Sequence, residues 1–129
     1  MSGSKGSSWK ILGLGRREDI AQKAEKYLHE LNYPNAKVIA LENDKAGDDK
    51  LIELLKTNDW DGVSIGGGIN GYDDIFPRET ETLYWFNRLV NLVHQYAPKA
   101  KLIFVTNPTD LVNSFVRVLG AAETPIESI

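Results

Sequence analysis

Residues 10–19 of the chain read KILGLGRRED, a short apolar run followed by a glycine turn and then by charged residues. A short apolar run that stops at glycine is typical of a buried β-strand and its turn. From Trp9 onward, such runs alternate with longer segments in which apolar residues recur every three or four positions. This alternation is typical of βα units on a parallel sheet, so the sequence predicts an α/β fold.

Four βα units account for the pattern. Strands are predicted at residues 10–14, 37–42, 63–66 and 101–106. The helix after the first strand buries apolar residues at helical spacing, namely Ile20, Ala24, Tyr27, Leu28 and Leu31. A second helix is predicted with Asp48 as its N-cap, a third over residues 79–96, and a last one that ends at Gly120.

The handedness of the connections restricts the topology, because crossovers between parallel strands are right-handed. With helices on both faces, the units predict a three-layer, doubly wound, four-stranded parallel sheet of order 2-1-3-4, Rossmann-like or flavodoxin-like. In such a sheet ligands bind at the carboxyl ends of the strands where the winding reverses, here between strands one and three. Two loops are expected to meet there, at residues 13–19 and 66–74.

The composition is that of one globular domain. The chain has 129 residues, of which 42% are hydrophobic, enough for one core. We predict a domain at residues 9–120, a flexible arm at residues 1–8 and a tail at residues 121–129. The formal charge of -3, without a basic block, predicts no nucleic-acid or membrane partner. The chain has no cysteine, which excludes a disulfide framework and a thiolate metal site, and no long apolar run, so a cytoplasmic protein is expected.

The loop after the third strand is rich in glycine. Gly66, Gly67, Gly68 and Gly71 permit positive φ angles and close approach of a ligand to backbone N–H groups. With Asn70, the first three of these glycines are predicted to line the crevice. The alternative interpretation is a flexible surface loop without a ligand.

The turn after the first strand carries part of a dinucleotide fingerprint. Gly13 and Gly15 are present, but Glu18 occupies the place of the third glycine. Two acids in the first helical turn already match the helix dipole, whereas Arg16 suits a phosphate. Two interpretations stay open: a phosphate site that includes Arg16, and a plain tight turn whose arginines pair with the neighbouring acids.

Further candidate residues lie on other loops. Glu42 ends the second strand, where dinucleotide folds place a ribose-binding carboxylate, although a solvated loop residue is the alternative. Tyr72, Asp73 and Asp74 are candidate acid–base groups on a closing loop. No dedicated metal-ligand pattern occurs, and the absence of Gly-Lys-Ser/Thr excludes a Walker A loop.

The third predicted helix carries two apolar stripes, about a quarter-turn apart. One consists of Phe86, Val90, Val93 and Ala97, and the other, the Trp85 stripe, of Trp85, Leu89, Leu92 and Tyr96. One stripe faces the sheet, and the other needs cover from the last helix or from a second subunit. Cover by a second subunit predicts a homodimer through the Trp85 stripe.

Two family resemblances add expectations. Residues 94–120, which include YAPKAKLIFVTNPTDLVNSFVRVLG, resemble the nucleotide-binding domain of lactate and malate dehydrogenases. That resemblance implies NAD(P) or another nucleotide as cofactor, with Asn107 on the nicotinamide side of the cleft. The order of GLG, DWDGVSIGGGI, FNRLVNLVHQYAPKAKLIF and NPTD is similar to small uncharacterised Rossmann-like proteins of bacteria and fungi. This second resemblance implies the fold and no particular chemistry.

Three functions therefore remain as hypotheses. The first is a domain that binds a nucleotide or another phosphate-bearing small ligand at the crevice between strands one and three. The second is a ligand-free homodimeric interaction module. The third is a small-substrate enzyme that uses Tyr72, Asp73 or Asp74 as acid–base groups.

Overall fold

The computed structural model describes residues 8–120. The predicted arm, apart from Ser8, and the predicted tail lie outside the described residues. The strands are β1 (Ile11–Gly15), β2 (Ala36–Ala40), β3 (Gly62–Ile65) and β4 (Lys101–Phe104). The α-helices are α1 (Glu18–Glu30), α2 (Lys45–Lys56), α3 (Gly67–Asn70), α4 (Thr80–Tyr96) and α5 (Leu111–Phe115). A 3₁₀ turn at Pro108–Asp110 precedes α5 and a π turn at Val116–Gly120 follows it.

The four strands form one parallel sheet in the order β2-β1-β3-β4, which confirms the predicted fold class and strand order. β1 lies at the point where the winding reverses. Its Gly13 is paired with Val38 of β2 on one side and with Ser64 of β3 on the other. The carboxyl ends of β1 and β3 therefore lie side by side, as a ligand crevice of this fold requires.

Helices cover both faces of the sheet because alternate strand residues point to opposite sides. Leu12 and Leu14 belong to a core cluster with Leu51 of α2 and Leu89 of α4. Ile11 belongs to a second cluster, with Leu28 of α1 and the α5 side chains of Leu111 and Phe115. Burial on both faces explains why the strands are nearly all apolar. None of the helices within residues 8–120 has the length and apolar character to cross a membrane.

The N-cap predicted for the second helix is wrong by one turn. The side chain of Asp44, not of Asp48, accepts a hydrogen bond of 2.8 Å from the Gly47 backbone N–H, so α2 begins at Lys45. A Cβ atom on Gly47 would lie 2.1 Å from the Glu42 carbonyl oxygen, which shows how closely this first turn packs on the end of the strand. Asp48 instead accepts a hydrogen bond of 2.8 Å from Nε of Arg88 on α4.

The predicted interface stripe on α4 is also wrong. Trp85 and Leu89 are 3% and 0% exposed and pack against the sheet together with Val93 of the other stripe, which is 1% exposed. The face that α4 buries thus runs between the two predicted stripes. Neighbouring α2 packs beside α4, whereas α5 lies on the opposite face of the sheet. Trp85 and Leu89 thus lie in the core of the chain itself, whereas Leu92 and Tyr96 are only partly buried.

Candidate functional site

A cleft opens at the carboxyl ends of β1 and β3, on the face that α1 and α5 cover. Its floor lacks large side chains because this face of the two strands carries Gly13, Gly15, Ser64 and Gly66 where other strand positions carry Leu, Ile or Val. About 110 Å³ of the cleft is open to the centre of a water molecule. One buried water needs roughly 10–15 Å³ by the same measure, so the cleft has room for a group of several heavy atoms.

The structure brings most of the predicted residues together around this cleft. Its lining includes Gly13, Gly15, Arg16, Gly66, Gly67, Gly68, Asp73 and Asn107. Two lining residues that matter to its chemistry, Ser64 and Phe76, were not predicted. Ser64 was within reach of sequence reasoning, because strand alternation places it on the same face as Gly13 and Gly66. Phe76 was not, since it lies in a loop whose path depends on tertiary contacts.

Four predicted residues do not line the cleft. The side chain of Asn70 hydrogen-bonds to the backbone instead. Its Nδ2 donates to the carbonyl oxygens of Ile65 and Val105 at 2.9 and 3.0 Å, and its Oδ1 accepts from the Tyr72 N–H. This side chain ties the end of β3 to the end of β4. The other three, Glu42, Tyr72 and Asp74, are exposed and lie outside the cleft lining.

The glycine-rich loop is more ordered than either interpretation of it suggested. Residues Gly67–Asn70 form the helical turn α3, and Gly71, with φ of 90°, is the only glycine of residues 8–120 with a positive φ. Gly67 serves close packing instead, because a Cβ atom there would lie 2.0 Å from the Thr106 carbonyl oxygen. A Cβ atom on Gly68 would lie 2.7 Å from the Phe76 ring. These two glycines let the turn pack against the segment that follows β4 and against the loop that follows α3.

Arg16 crosses from the first turn to the glycine loop. Its Nη1 donates a hydrogen bond of 3.1 Å to the Gly68 carbonyl oxygen, and its guanidinium carbon lies 4.8 and 5.7 Å from the ring centres of Phe76 and Trp85. The residue is partly buried. Within residues 8–120 no carboxylate forms an ion pair with it. The guanidinium therefore keeps N–H groups that donate to no other residue in the part of the chain that the structure describes.

Arg17, by contrast, is already paired. Its guanidinium donates to both carboxylate oxygens of Asp19, at 3.1 and 2.8 Å, in an exposed ion pair. That hydrogen bond is the main reason why the pKa of the Asp19 carboxyl lies below its ordinary value, and a backbone hydrogen bond from Ile20 lowers it further. A carboxylate thus already accepts from the first turn of α1, where a phosphate of a dinucleotide would otherwise bind. Of the two arginines, Arg17 thus pairs with a neighbouring acid, whereas Arg16 contacts the glycine loop.

Ser64 places a single hydroxyl in the floor of the cleft. The residue is 2% exposed, and its side chain has no hydrogen-bond partner in the part of the chain that the structure describes. Buried hydroxyls are nearly always hydrogen-bonded, because leaving one without a partner costs about 1–3 kcal/mol. This hydroxyl is therefore an available donor and acceptor in the floor of the cleft.

The far side of the cleft is held by the turn after β4. Asn107 lines the cleft, and its Oδ1 accepts from the backbone N–H of Thr109 at 2.9 Å, which caps the 3₁₀ turn. Asp110 accepts from the Thr106 N–H at 3.1 Å and pairs with Arg117. The Arg117 guanidinium is the main cause that lowers the pKa of the Asp110 carboxyl. Within residues 8–120, no three acidic or histidine side chains come together in a way that could hold a metal ion.

The chain shares its fold with a solved structure of low sequence identity. No protein-family model matches the chain, and no curated protein matches it. The chain is similar to a solution structure of a phosphate-loop protein, with a TM-score of 0.55 and 16% sequence identity over 92% of this chain and 95% of the other. This likeness supports the α/β architecture of the chain.

Proposed function

We propose that this chain binds a small phosphate-bearing ligand, such as a nucleotide, in the cleft at the carboxyl ends of β1 and β3. Arg16 is the observation that carries the proposal: it is a partly buried cation at a glycine-lined cleft, and no carboxylate pairs with it in residues 8–120. Arg17, Arg88 and Arg117, in contrast, each pair with an aspartate. A guanidinium suits a phosphate because its N–H groups match two phosphate oxygens.

The glycine loop holds Arg16 at the edge of the cleft. Because Gly67 and Gly68 carry no side chains, α3 packs on the Thr106 carbonyl oxygen and on the Phe76 ring, and the Gly68 carbonyl oxygen accepts from Arg16. The structural relative is described as a phosphate-loop protein, which is in line with a phosphate as the recognised group.

Calorimetric titration with adenosine monophosphate, flavin mononucleotide and inorganic phosphate at low salt tests the proposal. Because a hydrogen bond to a charged group contributes about 1.5–3 kcal/mol, Arg16→Gln should weaken the binding of these probes by about 10-fold or more. Lys99→Gln is the matched control, since it removes one positive charge from an exposed residue next to the amino end of β4. The proposal fails when no probe binds at millimolar concentration, or when both variants weaken binding equally.

A further inference from the structure

We infer that the outer edge of β4 is a dimerisation site, at which the β4 strand of a second copy of this chain pairs antiparallel with it. β4 is the last strand at one side of the sheet, so one of its two edges has no neighbouring strand. None of its four residues lines the cleft, and this interface is therefore independent of the proposed phosphate site.

The backbone groups of β4 point alternately towards β3 and away from it. The N–H groups of Lys101 and Val105 donate to carbonyl oxygens on the β3 side, at 3.0 and 3.1 Å. Because successive residues of a strand turn these groups to opposite sides, the N–H and C=O groups of Leu102 and Phe104 point outward. Within residues 8–120, no hydrogen-bond partner reaches these outward groups. The outer edge of β4 therefore offers two donors and two acceptors.

The opposite edge of the sheet, at β2, is closed by side chains. The Glu25 carboxylate accepts from the outward N–H of Val38 at 2.8 Å, and His29 Nε2 donates to the outward carbonyl oxygen of Ala36, also at 2.8 Å. Unpaired strand edges associate readily with other chains, and closure by side chains prevents this. In the part of the chain that the structure describes, the outward groups of β4 have no such closure.

Apolar side chains flank the open edge on the face of the sheet that α4 covers. Phe104 is 48% exposed, although its ring packs edge-to-face on Phe86 of α4, with 5.2 Å between the ring centres. Leu83 lies one turn before Phe86 on the same side of α4 and is also exposed. Exposed apolar side chains that adjoin one another are typical of a surface that a partner covers.

A second copy of the chain matches this edge because the edge is complementary to itself. About a two-fold axis at Ile103, Leu102 of each copy lies opposite Phe104 of the other, and each such pair exchanges two N–H···O=C hydrogen bonds. All the outward groups of these two residues are then paired, and the phenyl ring packs on leucine across the strands. Lys101 lies opposite Val105 of the second copy, so no like charges meet.

Sedimentation velocity and NMR of the whole chain test this interface. From micromolar to millimolar concentration the chain should change from monomer to dimer, since a short edge buries little surface. Hydrogen exchange at the Leu102 and Phe104 amides should slow over the same range. In a mixture of isotope-labelled and unlabelled chains, filtered spectra should show contacts between Leu102 of one copy and the Phe104 ring of the other.

Matched variants separate this edge from the rest of the surface. Phe104→Lys places an unpaired charge in the interface and should raise the dissociation constant of the dimer by about 10-fold or more. Tyr27→Lys is the control, because Tyr27 is 52% exposed on α1, which packs on β2. Should Phe104→Lys not fold, Phe104→Pro removes the outward N–H, leaves the hydrogen bonds to β3 intact and should also weaken the dimer.

A chain that stays monomeric at millimolar concentration overturns the inference. Protected Leu102 and Phe104 amides in such a monomer would mean that another part of the same chain covers the edge. A dimer without the filtered contacts, or one that Phe104→Lys and Tyr27→Lys weaken equally, has its interface elsewhere and overturns the inference as well.

Discussion

The guanidinium carbon of Arg16 lies 4.8 Å from the ring centre of Phe76, and the same side chain donates to the Gly68 carbonyl oxygen. One side chain of the first turn thereby contacts two points of the loop that follows β3. The two loops that border the cleft are thus joined directly. A cation above an aromatic face is stabilised by the quadrupole of the ring, so this contact should contribute to the stability of the loop.

A double-mutant cycle tests the contact between these two residues. Arg16→Gln and Phe76→Leu each remove one partner, and their effects on the free energy of unfolding should couple by about 0.5–1 kcal/mol. Urea denaturation of the two single variants and the double variant measures this coupling. The control cycle pairs Arg16→Gln with Phe86→Leu, since Phe86 packs edge-to-face on Phe104. Coupling of the same size in both cycles would contradict a specific contact.

Gly67 should be the glycine of the loop that is least tolerant of substitution. A Cβ atom there would lie 2.0 Å from the backbone oxygen of Thr106, so Gly67→Ala forces α3 away from the segment that follows β4. The expected loss is about 1–3 kcal/mol, as for other overpacked sites, measured by urea denaturation. Gly15→Ala is the control, because the nearest atom to its Cβ would be 4.0 Å away. Equal losses in the two variants would show that the close approach has no energetic consequence.

The start of α2 depends on Asp44. Asp44→Ala should reduce the free energy of unfolding by about 0.5–2 kcal/mol, because the side chain that accepts from the Gly47 N–H is lost. Asp44→Asn should retain most of the stability, since asparagine is an equally good N-cap. Thermal or urea denaturation of both variants measures the difference. An Asp44→Asn variant that is less stable than the Asp44→Ala variant would show that the Asp44 side chain is not the N-cap of α2.

The architecture was predictable because it follows from local pattern and from a rule of handedness. Apolar runs of strand length alternate with helical spacing, and right-handed crossovers then allow few strand orders. The predicted strand bounds are wrong by no more than two residues at either end, as expected where hydrogen bonding fades at the end of a strand. The meeting of the two glycine loops follows from the same topology.

The contacts and burial of individual side chains were less predictable, because they depend on parts of the chain that are distant in sequence. Asn70 lies in the predicted loop, yet its amide bonds to carbonyl oxygens at the ends of both β3 and β4. The rotation of α4 that buries Trp85 and Leu89 together with Val93 depends on how α2 packs beside it, which a single helix pattern does not contain. Ser64 was likewise not predicted, since its place beside Gly13 depends on the register between β1 and β3 and not only on the alternation along β3.

The ion pair between Arg17 and Asp19 should limit anion binding at the start of α1. Asp19→Asn removes the carboxylate that holds Arg17 and that also accepts from the first turn of the helix, so both groups become available to a phosphate. The contact is exposed and therefore screened by salt, so adenosine monophosphate should bind only about 2–5-fold tighter, and only at low salt. Asp49→Asn is the matched control, because it removes the same charge from the exposed pair of Asp49 with Lys45 on α2. Calorimetry at low and high salt measures both variants. An equal gain in the two variants would mean that the change in net charge alone causes the effect. No gain for Asp19→Asn would mean that the phosphate binds away from this end of α1, with Arg16 as its cationic contact at the cleft.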